Sequence, residues 1–138
     1  METGERIAAE ALALLGTPFG LHGRSVESGL DCVGLAALAL AQAGRAPGVL
    51  PAYRLRGMSV EAATQALEQA GLAPVPRAMP GDILLARSGP MQLHLLLLTG
   101  RGLVHADAGL GRVVLMPAPG PWPVLGQWRA RPSIDQGS

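Results

Sequence analysis

The hydrophobic pattern of the sequence changes at Met79-Pro80-Gly81-Asp82, and this change limits most narrowly what the chain can fold into. Before it, apolar residues recur at helical spacing; after it, they form short runs separated by Gly, Pro or Asp. Pro followed by Gly suits the two central positions of a type II turn, which would open the second part. Helices followed by strands along the chain predict an α+β fold.

Three helices are predicted before the change. Residues 5–15 carry apolar side chains at helical spacing, and Ser59 can cap a helix that Gly71 ends. Residues 32–43 form the helix between them, and because it is apolar on nearly every face we expect it to be central and buried. The predicted connections lie at residues 17–30 and 45–58.

An antiparallel meander of about five strands is predicted after the change, because each apolar run is short and is bounded by turn residues. The sequence contains no linker long enough to separate a second domain. Residues 1–138 are therefore predicted to form one domain, with residues 133–138 as a flexible tail. The predicted strands lie at residues 83–86, 93–98, 103–106, 112–116 and 124–130.

Composition excludes several classes of function. The formal net charge is +1 with no basic stripe, so nothing indicates a nucleic-acid partner. No apolar run approaches the ~20 residues of a membrane span. The first residues are acidic where a signal peptide is basic, so we expect a soluble protein made in the cytoplasm without an export signal. A single cysteine excludes an internal disulfide.

That cysteine, Cys32, follows Asp31 and opens the central helix. Free N–H groups and the helix dipole favour a thiolate at the first turn, whereas the neighbouring carboxylate opposes one. Cys32 is therefore a candidate nucleophile. The alternative is a small apolar side chain in the core.

Two histidines occupy the second and third predicted strands. His94 interrupts an otherwise apolar strand, and His105 lies on the next one. Any hairpin loop with an even number of residues places both on one face, because side chains alternate along a strand. A Thr99-Gly100 loop sets His94 directly opposite His105; a four-residue loop, 99–102, sets it opposite Asp107.

If that face packs on the central helix, the order thiol, imidazole, imidazole suits nucleophilic catalysis, in which a third group orients the base. Asp107 shares the parity of His105 and is a second candidate to orient His94. The same thiol and imidazoles are also possible zinc ligands, although their spacing differs from the usual motifs. Each histidine alone has the alternative of a hydrogen-bonded core residue.

The remaining candidates have weaker signals. His22 lies in a glycine-rich loop and is either a solvated histidine or part of a cleft entrance. Trp122 and Trp128 are predicted to serve mainly in packing.

Three segments of the sequence resemble the NlpC family of papain-like cysteine peptidases, which hydrolyse bacterial cell-wall peptides. LLGTPFGLHGRSVESGLDCVGL resembles the nucleophile segment, PGDILL the start of the first long strand, and HLLLLTGRGLVHA the histidine hairpin. The resemblance covers residues 5–117 and implies a papain-like fold. It also implies that Cys32 is the nucleophile, His94 the base and His105 the residue that orients it, with no cofactor.

The resemblance also bears on substrate recognition. It implies that Asp31 binds the amino group of the substrate. Phe19 stands where the family usually has Tyr, and Val33 where many members have Ser, so polar contacts with the substrate are lost and the usual cleavage at a γ-D-glutamyl bond is in doubt.

The nucleophile segment further resembles short variants in the tails of phages and gene transfer agents. This implies a place in a virion or phage-like tail, with tail-tip proteins as partners and a peptidoglycan peptide as substrate. Two alternatives stay open: a structural tail component of the same fold without turnover, and an acyltransferase on the same scaffold, which would need an additional apolar groove.

Overall fold

The computed structural model describes residues 2–45, 55 and 57–131. The predicted tail and most of the predicted 45–58 connection lie outside the described residues. The helices are α1 (Thr3–Ala13), α2 (Cys32–Gln42) and α3 (Val60–Gln69). The strands are β1 (Arg24–Ser25), β2 (Gly29–Leu30), β3 (Leu72–Pro74), β4 (Ile83–Gly89), β5 (Gln92–Thr99), β6 (Gly102–Asp107), β7 (Arg112–Met116) and β8 (Val124–Ala130).

Each helix begins at a residue whose side chain caps it. Glu2 and Glu5 form a reciprocal capping box at α1, the Asp31 carboxylate accepts from the Gly34 N–H at α2, and the Ser59 hydroxyl accepts from the Ala62 N–H at α3. The predicted α+β class is confirmed: three helices pack on an antiparallel sheet. As predicted from its apolar surface, α2 is central, and it contacts α1, β5 and β6.

The six-stranded sheet has the order β3-β8-β4-β5-β6-β7, with neighbouring strands antiparallel. All five predicted strands form, as β4 to β8, but their predicted order as a simple meander is wrong, and one further strand joins the sheet. Strands β4 to β7 form a meander, but β8 returns to pair with β4 on its other side. The additional strand, β3, has only three residues and ends in proline, so it shows no period-two pattern in the sequence.

Two hydrophobic clusters occupy opposite faces of the sheet. The larger one joins the helices to the sheet and includes Leu93, Leu95 and Leu97 of β5. The smaller one includes Leu96 of β5, with Trp122 packed against it. In the described part of the chain, each helix is too short or too polar to cross a membrane.

The turn that precedes β4 is the predicted type II turn. Gly81 has φ of +97°, as the third position of this turn requires, and the Asp82 N–H donates to the Met79 carbonyl at 3.0 Å. The Asp82 carboxylate is 1% exposed and accepts two hydrogen bonds of 2.9 Å from Arg129 on β8. This ion pair joins the turn to the strand that lies out of chain order.

Replacing Arg129 with methionine is expected to lower the free energy of unfolding by about 3 kcal/mol, because it leaves the buried Asp82 carboxylate without its cation. The Arg129 side chain is 42% exposed, which keeps the loss at the lower end for a buried pair. Urea denaturation at neutral pH measures it. Arg101→Met, at an exposed turn position, is the matched control and should change stability by less than about 0.5 kcal/mol. Equal losses in both variants would contradict this role of the pair.

Candidate active site

Cys32 is the first residue of α2, and its side chain is half-buried. The loop that precedes it packs so closely on the helix that a Cβ on Gly34 would overlap the Gly23 carbonyl oxygen. Only glycine fits there without moving the loop, so the thiol is held at a fixed position relative to β1 and β2.

The Asp31 carboxylate is held by donors from the protein itself. Its Oδ1 accepts from the Gly34 N–H at 2.8 Å and from Nη1 of Arg24 at 3.0 Å, and its Oδ2 accepts from the His22 N–H at 2.8 Å. The Asp31 side chain is 14% exposed. Asp31 therefore caps the helix and forms an ion pair immediately before Cys32.

The two histidines lie on one face, as an even hairpin loop predicts, and Nε2 of His94 lies 3.1 Å from Nδ1 of His105. Direct pairing through a Thr99-Gly100 loop is wrong. Thr99 pairs with Gly102 and Leu97 with Val104, a register that when extended sets His94 opposite Asp107. The imidazoles meet diagonally, which long side chains on neighbouring strands can do.

The histidine face is not the one that packs along α2. Alternation places His94 on the side of Leu96, away from the larger cluster that contains Leu93 and Leu95. The thiol nevertheless lines the same cleft as both histidines, and the main chain of Leu95 on β5 hydrogen bonds to it.

Trp122 completes the histidine group. Its ring lies edge-to-face with both imidazoles, with centroids 5.6 Å from His94 and 5.6 Å from His105. The two imidazoles are also perpendicular, at 5.2 Å. Three mutually perpendicular rings leave little room for any of them to rotate.

Asp107 lies at the turn that follows β6. Its Oδ1 accepts from the Leu110 N–H at 3.0 Å, which is a capping contact within the turn. His105, not Asp107, is thus the residue in hydrogen-bond contact with His94. The charge of Asp107 raises the pKa values of both histidines.

Burial keeps both candidate reacting groups neutral. Burial raises the pKa of the Cys32 thiol to about 11; the main-chain hydrogen bond from Leu95 lowers it, the Asp31 carboxylate raises it, and main-chain hydrogen bonds of Val33 and Cys32 lower it. Burial, followed by the proximity of His105, lowers the pKa of His94 to about 4, and the Asp107 charge acts in the opposite direction. The main-chain groups at the helix start lower the pKa of the thiol, as predicted, but burial raises it by more.

The pKa of His105 is lowered as well, first by burial, with Asp107 again opposing the shift. The free protein at neutral pH therefore holds a thiol and two neutral imidazoles. A neutral imidazole offers one N–H and one lone pair. If His94 donates through Nε2 to Nδ1 of His105, its own Nδ1 is the free base.

A cleft of about 570 Å³ contains these groups. Phe19 and Val33 line it, whereas the His22 side chain is exposed and outside the lining. Within residues 2–45, 55 and 57–131, no group of three or more His, Cys, Asp or Glu side chains is placed to hold a metal ion. The lining comprises Phe19, Leu21, Asp31, Cys32, Val33, Leu55, Ser88, Gln92, Leu93, His94, His105, Ala106, Asp107, Ala108, Gly109 and Trp122.

Sequence reasoning missed two residues of the site. The sequence predicts packing for Trp122, and only its position between two prolines marks it. Nothing in the sequence pattern indicates that Arg24 pairs with an acid seven residues later.

No family profile and no curated protein matches this sequence, whereas solved structures do match its fold. NlpC1 from Trichomonas vaginalis superposes with a TM-score of 0.66 at 23% identity, over 92% of this chain and 43% of that one. The chain thus spans less than half of the length of that structure.

Two further structures match along most of both chains. The NlpC/p60 domain of the peptidoglycan hydrolase SagA matches with a TM-score of 0.57 at 27% identity, over 83% of this chain and 88% of that one. RipD from Mycobacterium tuberculosis, described as a non-catalytic NlpC/p60 domain protein adapted to peptidoglycan binding, matches with a TM-score of 0.61 at 19% identity, over 94% and 97%. The chain therefore has the papain-like fold of the NlpC family.

Proposed function

We propose that this chain is a cysteine peptidase or amidase that hydrolyses amide bonds in the stem peptides of bacterial peptidoglycan. The observation that carries the proposal is the 3.1 Å contact between His94 Nε2 and His105 Nδ1 in the cleft that also contains Cys32. A thiol, a base and a group that orients the base are the parts that acyl transfer by a cysteine requires.

In the proposed mechanism, Nδ1 of His94 takes the proton from the Cys32 thiol as the sulfur forms a bond to the substrate carbonyl carbon. The carbonyl π electrons move to the oxygen, and a main-chain N–H at the start of α2 stabilises the oxyanion. His94 then gives the proton to the leaving amine as the C–N bond breaks. Water completes the reaction: His94 takes a proton from it as its oxygen bonds to the acyl carbon, the S–C bond breaks, and His94 returns the proton to the Cys32 sulfur.

The neutral state of the Cys32 thiol and the His94 imidazole determines at which step the thiol proton moves to His94. Because the pKa of Cys32 is raised to about 11 and that of His94 lowered to about 4, the free protein does not hold a thiolate–imidazolium pair. His94 therefore acts as a general base during the attack itself. His105 holds the tautomer, since its Nδ1 can accept from Nε2–H of His94 in both protonation states of His94.

Peptidoglycan is proposed as the substrate because SagA, with the same fold, is a peptidoglycan hydrolase. RipD supplies the alternative, since it has this fold without catalysis. The resemblance of the nucleophile segment to phage and gene-transfer-agent variants further leads us to propose a place among tail-tip proteins, where either an active or an inactive domain would fit.

Digestion of purified sacculi tests the proposal. The wild type should release soluble peptides, which mass spectrometry identifies together with the bond cleaved, and prior treatment with iodoacetamide should abolish release. Co-sedimentation with sacculi, measured in parallel, separates the alternative: binding without release would support a structural domain and contradict the peptidase.

A further inference from the structure

The charge at the start of α2 is compensated before any ligand binds. Asp31 lines the cleft beside the nucleophile, and Nη1 of Arg24 lies 3.0 Å from its Oδ1. The same Nη1 donates to the Gly23 carbonyl at 3.2 Å, so the guanidinium is fixed to the loop as well as to the acid. The carboxylate that lines the cleft is thus paired with a cation that lies outside the lining.

The acceptor capacity of Asp31 is largely used. A carboxylate has about four lone-pair sites, and donors from Gly34, Arg24 and His22 occupy three of them. A ligand ammonium that approached Asp31 would find a carboxylate whose charge Arg24 already compensates. The nearby lining is apolar, with Phe19, Leu21 and Val33, and an uncharged group enters such surroundings at a lower desolvation cost than an ammonium.

We infer that Arg24 is a specificity-determining residue that makes the cleft accept acyl groups whose amino end is blocked as an amide, in preference to those with a free ammonium. The inference rests on the proposed function, because it names the acyl side of the same thiol chemistry. It runs against the amine-binding role that the sequence resemblance implies for Asp31.

The test compares two covalent probes, Ala-Ala chloromethyl ketone and its N-acetyl form, which differ only in the charge at the amino end. In each case the Cys32 sulfur displaces chloride from the methylene carbon and a thioether forms. The rate of adduct formation is followed by mass spectrometry and divided by the rate with iodoacetamide, which corrects for thiol reactivity.

Three proteins give the comparison: wild type, Arg24→Lys, which keeps the positive charge, and Arg24→Gln, which removes it. The wild type and Arg24→Lys should both prefer the acetylated probe. Arg24→Gln should lower that preference by about two- to fivefold, the size of one charge interaction at a partly exposed site. A wild-type preference for the free amine, or equal preferences in Arg24→Gln and Arg24→Lys, would overturn the inference.

The outcome is separable from that of the proposed function. Labelling needs only a reactive thiol in the cleft, so it can be measured on a protein that hydrolyses no sacculi. A protein that prefers the acetylated probe but releases no peptides would contradict the proposed function and support the inference about Arg24. A protein that releases peptides without this preference would support the proposed function and contradict the inference.

Discussion

Cys32→Ala is expected to reduce the release of peptides from sacculi to background, a loss of at least ~10³-fold, because no other group in the proposed mechanism can form the acyl intermediate. The fold should survive, since the Cys32 side chain is half-buried and the cap of α2 depends on Asp31. Alanine also suits a helix start better than cysteine does. Peptide release and the midpoint of thermal unfolding are the two measurements.

Cys32→Ser is the matched control, because it keeps the shape and a hydroxyl proton donor but is a much weaker nucleophile. Both variants should bind sacculi as the wild type does. Retention of wild-type release by Cys32→Ala would exclude the thiol mechanism and leave the binding role that RipD exemplifies.

Local features of the chain were predictable from the sequence because they depend on neighbours. Ser59 caps the helix that follows it, and the type II turn forms where Pro80 precedes Gly81. The position of β8 was not predictable. Its pairing with β4 brings together residues more than twenty positions apart, and an apolar run carries no sign of its partner.

The site shows the same division. Alternation along β5 and β6 places His94 and His105 on one face for any hairpin loop with an even number of residues, and the loop is of that kind. Their register was not predictable, because it depends on which two residues form the turn: Gly100 and Arg101 form it, and Thr99 pairs with Gly102. The protonation state of Cys32 was not predictable either, because burial is a property of the assembled fold. Here burial raises the pKa of the thiol by more than the helix start lowers it.

The pH dependence separates a neutral thiol–imidazole pair from a preformed ion pair. Below a thiol pKa of about 11, the thiolate fraction of Cys32 falls tenfold per pH unit. Alkylation by iodoacetamide in the wild type should therefore rise about tenfold per unit from pH 7 to pH 10, with no plateau near neutrality. His94→Ala should leave this profile nearly unchanged. A neutral plateau that His94→Ala abolishes would show a preformed thiolate–imidazolium pair.

Hydrolysis should depend on pH differently, because it requires His94 to be neutral. With the pKa of His94 lowered to about 4, kcat/KM should stay level as the pH falls and decline only near pH 4. His94→Ala should lower the level by about 10²- to 10⁴-fold. His105→Ala should lower it less, by about 10- to 10³-fold, because a mispositioned base still accepts a proton.

The direction in which the acid limb of kcat/KM moves distinguishes the effects of His105 and Asp107 on the pKa of His94. His105 lowers the pKa of His94, so His105→Ala should move the limb to higher pH. Asp107 raises that pKa through its charge, so Asp107→Asn should move the limb to lower pH while leaving the level almost unchanged. If Asp107→Asn lowers the level as far as His94→Ala and His105→Ala does not, then the carboxylate orients the base in solution. The 3.1 Å contact between the two imidazoles would then have no part in catalysis.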